Sequence, residues 1–214
     1  MILSLPSKSQ VSKVVPKNAF DDYTNTKQKR KFIDIVNRLT WINKLSFDTV
    51  NLKGKDVKEI QVFQLELKQQ EGFNELLQII DKVIPYHIIF CVLYKEKVLF
   101  SASQKHLNPI NENQAVTDWT FSSDWEDVES NLVKVNLEKS LDFVFYDFCK
   151  QLIGDHAKGT NLFDLISYDK SVKELNKSIT ALETSISKAK QFNKKVELNI
   201  ELQEKLTFLK ILMS

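Results

Sequence analysis

HIIFCVLY, residues 87–94, is the stretch that decides the fold, because it is apolar at almost every position. A strand with one wet face alternates apolar and polar side chains, whereas a strand buried on both faces reads as a continuous apolar run. The stretch is also far shorter than the roughly 20 apolar residues that a membrane span requires. It therefore predicts the central strand of a sheet that is covered on both faces.

The segments on either side of this strand have the periodicities of further strands and of amphipathic helices. Strands are predicted at residues 45–52, 57–68, 115–121 and 131–135, the first two as a hairpin that turns at Gly54. Helices are predicted at residues 25–42, 69–83 and 136–154, each with an apolar stripe. The pattern predicts an α+β fold, with a mixed β-sheet and packed helices.

The C-terminal segment has a different character, because it contains neither Gly nor Pro from Asp169 onward. Its apolar residues recur at alternating steps of three and four, which is typical of a coiled-coil seam. The seam residues are Val172, Leu175, Ile179, Leu182, Ile186, Ala189, Val196 and Ile200. This spacing predicts either one long helix or a helical hairpin that bends near residues 191–195. A second copy, another protein or a fold-back of the tail must cover the seam.

These patterns divide the chain into four predicted parts. They are an extended arm at 1–24, an α+β globular domain at 25–154, a link at 155–170 and a coiled-coil tail at 171–214. No signal peptide or membrane span is indicated, so we expect a cytoplasmic protein without membrane contact. No metal-ligand spacing and no phosphate-cradling glycine loop is present, so no cofactor is expected.

The charge is nearly balanced over the whole chain, at +2, but it is unevenly distributed. Residues 1–44 hold nine basic and three acidic side chains, an excess of six. Lys27, Lys29, Arg30 and Lys31 stand at the exposed start of a predicted helix, where weak, sequence-independent contacts with DNA phosphates are expected. Specific reading of the major groove is not expected, because only two of the basic residues are arginines.

The segment VFQLELK, residues 62–68, allows two interpretations. In nucleases of the restriction-endonuclease-like fold, an acidic residue precedes a Glu-x-Lys on the next strand, and the carboxylates hold Mg²⁺. Asp48, Glu66 and Lys68 occur in that order, so a Mg²⁺-dependent nuclease is the alternative prediction. The simpler interpretation is that Glu66 and Lys68 form the solvated face of an ordinary amphipathic strand.

Four phrases carry a resemblance to a known family: VPKNAF at 15–20, EIQVFQLELK at 59–68, IDKVIPYHIIF at 80–90 and KAKQFNKKVELNIELQ at 188–203. Together they resemble the bacterial family of unknown function DUF4391 over nearly the whole chain. The resemblance implies a restriction or phage-defence setting, since members are commonly encoded beside helicases and DNA methyltransferases. It implies no catalytic residue. We therefore favour an accessory subunit over an enzyme. Its tail is expected to bind a second copy of the chain, a helicase or a methyltransferase.

Overall fold

The structure, a computed structural model, describes residues 2–111 and 114–214. The chain divides into two compact units, the first ending at Leu152 and the second comprising Ile153–Ser214. Within the described residues, no helix has both the length and the apolar character needed to cross a membrane.

The first unit is built on one mixed sheet, as the sequence predicts. Its strands are β1 Gln10–Val14, β2 Val36–Ser46, β3 Glu59–Leu67, β4 His87–Tyr94, β5 Lys97–Leu107, β6 Ala115–Ser122 and β7 Glu126–Asp127. They lie in the order β1-β2-β3-β4-β5-β6, and β7 pairs with the start of β5. Only the β3–β4 pair is parallel among these described strands. The prediction of an α+β fold is confirmed.

Strand β4 occupies the centre that its sequence predicts, with β3 on one side and β5 on the other. Its first six residues are buried, because helices cover both faces of the sheet. The helices of this unit are α1 Thr26–Ile35, α2 Phe47–Val50, α3 Asn74–Val83 and α4 Leu141–Ile153. Helices α1 and α3 pack on one face through the main apolar core. On the other face, the ring of Phe148 in α4 lies 6.0 Å from that of Phe100.

Two predicted boundaries near the start of the sheet are wrong. The predicted helix 25–42 ends at Ile35, and β2 begins at Val36 and runs to Ser46. Antiparallel pairing with β3, from Val36 opposite Leu67 to Ser46 opposite Glu59, outweighs the local helical spacing. The predicted strand 45–52 is replaced by the end of β2, the short α2 and a loop.

The predicted strand 131–135 does not form either. The amide side chain of Gln151 takes the place of a neighbouring strand, because it accepts from the Lys134 N–H and donates to the Lys134 carbonyl, both at 2.9 Å. The following helix begins at Leu141 instead of 136, and the Ser140 hydroxyl accepts from the Phe143 N–H at 3.2 Å. A serine cap therefore defines this helix start.

The N-terminal segment has more structure than an arm, since β1 forms the edge strand next to β2. It is short and irregular: the pairing register shifts between Gln10 and Lys13, and Ser12 has a φ of 53°. A bulged edge strand of this kind discourages pairing with other chains.

The second unit is a pair of helices, α5 Leu162–Lys188 and α6 Phe192–Met213. The two helices pack against each other and only three residues join them, so they form an antiparallel hairpin. Helix α5 begins at Leu162, before the predicted start at Ser171, because the Asn161 side chain accepts from the Asp164 N–H at 3.0 Å. Of the two predicted tail arrangements, the hairpin is the one observed.

Candidate functional site

The three residues of the nuclease alternative do not meet in the structure. Asp48 lies exposed in the first turn of α2, directly beyond the end of β2 at Ser46. Ser46 pairs with Glu59, and Glu66 lies seven positions further along β3, which is roughly 23 Å at about 3.3 Å per residue. Asp48 is therefore separated from Glu66 and Lys68 by most of the length of the strand.

Glu66 and Lys68 also bind different groups. The Glu66 carboxylate accepts from Asn37 Nδ2 at 3.3 Å and from Gln64 Nε2 at 3.1 Å. Lys68 Nζ donates to the Ile33 carbonyl at 2.7 Å. Across residues 2–111 and 114–214, no three His, Cys, Asp or Glu side chains are grouped to hold a metal ion. The nuclease alternative stays a prediction that the arrangement of these side chains does not favour.

The basic residues of α1 are mostly paired with carboxylates. Lys29 Nζ lies 3.7 Å from Asp21, Arg30 Nε lies 3.4 Å from its helix neighbour Asp34, and Lys31 forms an ion pair with Glu75 in α3. Lys27 is exposed. Ion pairing of three of the four predicted DNA contacts reduces the positive field that α1 presents to a polyanion. The DNA contact by these residues stays a prediction.

A buried ion pair that no sequence pattern indicates joins α3 to β5. Lys105 Nζ donates to the Asp81 carboxylate at 3.0 Å, the Asp81 carbonyl at 2.9 Å and the Ile84 carbonyl at 2.8 Å. Its side chain has no exposed surface. Burial raises the pKa of Asp81 and lowers that of Lys105, against the opposing attraction between them.

This ion pair has a complete set of hydrogen bonds. Lys105 uses all three of its donors, and the second oxygen of Asp81 accepts from the Ser103 hydroxyl at 2.6 Å. The Asp81 and Ile84 carbonyls belong to the C-terminal end of α3, where a cation is favoured. Because the Lys105 ammonium has no donor left for a ligand, the ion pair has a structural role. It connects the end of α3 to β5.

A second buried titratable group lies at the start of β4. His87 Nε2 lies 3.2 Å from the Gln104 amide oxygen, and its ring is 4.6 Å from the ring of Phe145. Burial lowers the pKa of His87 to about 4, so the ring is neutral near pH 7. The surroundings are those of a core histidine packed between the sheet and α4.

An aspartate of α4 organises the loop that precedes β3. Asp142 accepts from the backbone N–H groups of Lys55, Asp56 and Val57 at 2.6, 2.9 and 2.8 Å. Partial burial pushes the pKa of Asp142 upward, but these donors outweigh it and hold the pKa below its ordinary value. Gly54 is required here, because a Cβ would lie 2.0 Å from the Val57 carbonyl oxygen. Gly54 thus serves a loop, where a hairpin turn was predicted.

The residues of the predicted coiled-coil seam do not form one continuous buried stripe in the hairpin. Its α5 members and Ala189, just after α5, are buried or half-buried: Val172, Leu175, Ile179, Leu182, Ile186 and Ala189. Val196 and Ile200 of α6 are exposed. The side of α6 that is buried or half-buried presents instead Leu198, Leu202, Leu209 and Leu212. Helix α6 therefore has an apolar side against α5 and a second apolar side in solvent.

We call this second side the α6 outer face. It surrounds a shallow groove of about 760 Å³ lined by Val196, Asn199, Ile200, Gln203, Glu204, Thr207, Phe208 and Ile211. Ile200, Phe208 and Ile211 are 58%, 56% and 62% exposed. The sequence indicates that α6 has two apolar sides, because Leu, Ile, Val and Phe occur all around the helix. The predicted heptad seam describes only one apolar side of a helix, so it does not include both.

A family model described as a domain of unknown function, DUF4391, matches residues 3–208. No curated protein and no solved structure matches the chain.

Proposed function

The chain belongs to the DUF4391 family, and from that premise we propose that it is an accessory subunit that docks a partner protein through the α6 outer face. The observation that carries the proposal is the exposure of Ile200, Phe208 and Ile211 on a helix whose opposite side already packs on α5. A helix that is apolar all round belongs in a protein interior. Contiguous exposed apolar surface, bordered by polar residues, marks an interaction site.

The border of the α6 outer face specifies the chemistry of the partner. Glu197, Glu201 and Glu204 are exposed and follow one another at steps of four and three, so they form an acidic row along one side of the face. Glu197 is paired with Lys194 at 3.2 Å, so the row presents mainly the charges of Glu201 and Glu204. A partner that covers the groove and neutralises this row has an apolar centre and a basic rim. The proposed occupant is such a groove or helix on another protein.

A second copy of the chain fits this face less well. In an antiparallel two-fold pairing of α6 with its copy, each side of the helix meets the same side of the other, so the acidic row faces itself. In a parallel pairing, the row faces the opposite flank of α6, where Asn199 and Leu206 carry no charge and Lys210 lies one turn further on. Neither symmetric arrangement brings a cation against both Glu201 and Glu204, and like charges placed together disfavour association.

The family context suggests where the partner is found. If this chain shares the gene neighbourhood that is common in the family, its partner is a helicase or a DNA methyltransferase of a restriction or phage-defence system. Such enzymes present basic surfaces to DNA, in keeping with the charge expected of the partner. This role places the protein in the cytoplasm, with DNA close to the assembled complex.

The test is co-expression of the tagged chain with the helicase and the methyltransferase of a gene cluster that encodes a family member. The variant Ile200→Ser/Phe208→Ser removes the centre of the α6 outer face. Phe163→Ser removes a phenylalanine that is more exposed than Phe208, 77% against 56%, from α5. We expect one enzyme to co-purify with the wild type and with Phe163→Ser, and binding to the double variant to fall at least about tenfold, or about 1.4 kcal/mol.

Two results would overturn the proposal. One is equal co-purification by all three proteins, or by none, because the α6 outer face would then have no part in docking. The other is a wild-type dimer by light scattering that Ile200→Ser/Phe208→Ser converts to a monomer. In that case the occupant is a second copy of the chain.

A further inference from the structure

A small pocket opens on the α1 and α3 side of the sheet, next to the segment that follows β1. Its volume is about 320 Å³, and its walls are mainly apolar. They include Val15 and Phe20 of that segment, Trp41 of β2, Phe63 of β3 and Ile84 directly after α3. Pockets for small molecules begin near about 300 Å³ and combine apolar and aromatic walls with a few polar groups. This pocket therefore has the size for a ligand with one ring system.

The register of the sheet places two aromatic rings and one cation along the pocket. Trp41 pairs with Lys13 of β1 on one side and with Phe63 of β3 on the other. Residues directly opposite each other present their side chains on the same face of the sheet. The Trp41 and Phe63 rings are nearly parallel, at 15°, with centroids 6.2 Å apart. A flat ring packs well against this pair, because aromatic rings favour offset and edge contacts with one another.

Gln61 supplies a hydrogen-bond acceptor in the apolar wall. It lies two positions before Phe63 on β3, so the two side chains share a face of the sheet. Its Nε2 donates at 2.8 Å to the Glu59 carboxylate, which forms an ion pair with Lys44. Because an ionised carboxylate only accepts, this contact fixes the amide with its nitrogen toward Glu59.

The amide oxygen of Gln61 is the polar atom that remains for a ligand. Within residues 2–111 and 114–214, no side chain or backbone N–H donates to it. It is also not one of the fully buried atoms that lack a partner, although Gln61 as a whole is only 7% exposed. Solvent therefore reaches this oxygen, and an N–H group of a ligand in the pocket can donate to it.

An irregular edge strand puts a cation at the rim of the pocket. The β1 pairing shifts between Gln10 and Lys13, and the intervening Ser12 has a φ of 53°. Bulges of this kind change the direction of a side chain and recur beside functional sites. Lys13 lines the pocket, is exposed and belongs to none of the ion pairs within residues 2–111 and 114–214. Its ammonium is available to an anionic group of a ligand.

We propose that this pocket binds a small ligand with a planar heteroaromatic ring, an N–H donor at the ring edge and one anionic group. The ring packs against Trp41 and Phe63, and its N–H donates to the Gln61 oxygen. The anionic group binds the Lys13 ammonium. Mononucleotides and indole carboxylates share this chemistry, and separate titrations distinguish them. The inference goes beyond the proposed docking and does not depend on it, because every residue of the pocket lies in the first unit.

The test is isothermal titration calorimetry of the full chain with two anionic probes, AMP and indole-3-acetate. Their neutral analogues, adenosine and indole-3-acetamide, keep the ring and lack the charge. We expect at least one anionic probe to bind with a Kd below about 1 mM. Its neutral analogue is expected to bind up to about fivefold more weakly, which is the effect of an exposed ion pair. The probe that binds identifies the ring that the pocket accepts.

Three substitutions in the pocket and one matched control assign the binding. Gln61→Met removes the acceptor and Trp41→Leu removes the larger ring, and each is expected to weaken binding by up to about tenfold. Lys13→Gln is expected to abolish the difference between the anionic probe and its neutral analogue. The control Lys188→Gln, which removes an exposed lysine at the end of α5, is expected to bind as the wild type does.

The indole N–H signal of Trp41 gives a readout that does not depend on the stability of a variant. In the ¹H–¹⁵N spectrum of the wild type this signal is identified by its loss in Trp41→Phe, and we expect it to shift when the bound probe is added. The signals of Trp119 and Trp125, which do not line the pocket, are expected to stay in place. The proposal is overturned if no probe binds, if the Trp41 signal does not move, or if Lys188→Gln weakens binding as much as Lys13→Gln.

Discussion

The two units of the molecule treat polar and apolar side chains in opposite ways. The sheet unit buries a charged pair, Asp81 and Lys105, and gives both partners a full set of hydrogen bonds. The helical unit leaves Ile200, Phe208 and Ile211 in solvent on one side of α6, although the opposite side of this helix packs on α5. Burying a charge without partners and exposing a large apolar face are both unfavourable. Only the first of these is compensated within the chain.

This difference indicates which unit is complete on its own. The Lys105 ammonium finds all its acceptors on α3, so nothing from outside the chain is required. The apolar side chains of the α6 outer face are exposed to solvent, which is why the proposed docking is assigned to it. If the comparison holds, substitutions in the sheet unit change stability, whereas substitutions on the α6 outer face change association.

The largest effect is expected from Lys105→Met. This change leaves Asp81 buried without its counter-ion and removes the donor that serves two carbonyls at the end of α3. Loss of one partner from a buried pair costs about 3–5 kcal/mol of the free energy of unfolding. Urea denaturation followed by tryptophan fluorescence measures the loss. A change below about 1 kcal/mol would show that water reaches the pair and that this unit is less tightly closed.

The next effect is a pH dependence that arises from His87. Its pKa is about 4 in the folded protein, because burial disfavours the imidazolium, and about 6.5 in the unfolded chain. The pKa is depressed on folding, so the stabilisation is present above about pH 6.5 and is lost as the pH falls toward 4. The shift corresponds to roughly 3 kcal/mol across that window.

His87→Gln retains a donor for Gln104 and removes the titration. Urea denaturation of both proteins between about pH 7 and about pH 4 should show the wild type losing more stability than the variant, by up to the magnitude above. Parallel pH profiles would mean that the His87 ring is hydrated in the native state. The conclusion that the sheet unit keeps its titratable groups away from water would then hold for Lys105 but not for His87.

Where the sequence predicts the fold correctly, the deciding information is local. The apolar run of β4 identifies the centre of the sheet, and the heptad of α5 identifies a packed helix, because each pattern lies within one element. The end of α1 at Ile35 is not predicted, because it is determined by the pairing of β2 with β3, a contact between residues distant in sequence. Nothing within residues 36–42 indicates this pairing.

Contacts between residues distant in sequence also explain why the candidate sites were not predicted correctly. Lys105 stands in a strand among serines and a histidine and looks like a solvated residue, because its acceptors on α3 lie more than 20 residues earlier. Lys68 is singled out in the sequence as part of Glu-x-Lys, yet its Nζ donates to the Ile33 carbonyl. The α6 outer face could have been found by testing α6 alone for two apolar sides instead of extending the α5 seam.

The smallest effect compares two neighbouring aliphatic residues on opposite sides of α6. Leu202 is buried on the side that faces α5, whereas Ile200 is 58% exposed. Leu202→Ala is expected to cost about 2–3 kcal/mol, the lower range for truncating a buried aliphatic side chain, and Ile200→Ala to stay within about 0.5 kcal/mol. Hydrogen exchange of the α5 and α6 amides reports the stability of the hairpin directly.

The pair also tests the assignment of the two sides. Faster exchange in Leu202→Ala, with wild-type exchange in Ile200→Ala, would establish that the α6 outer face contributes nothing to the free chain and is available for a partner. Equal acceleration in both variants would mean that Ile200 is already covered in the isolated protein. The outer face would then be part of the fold, and the proposed docking would lose the observation that carries it.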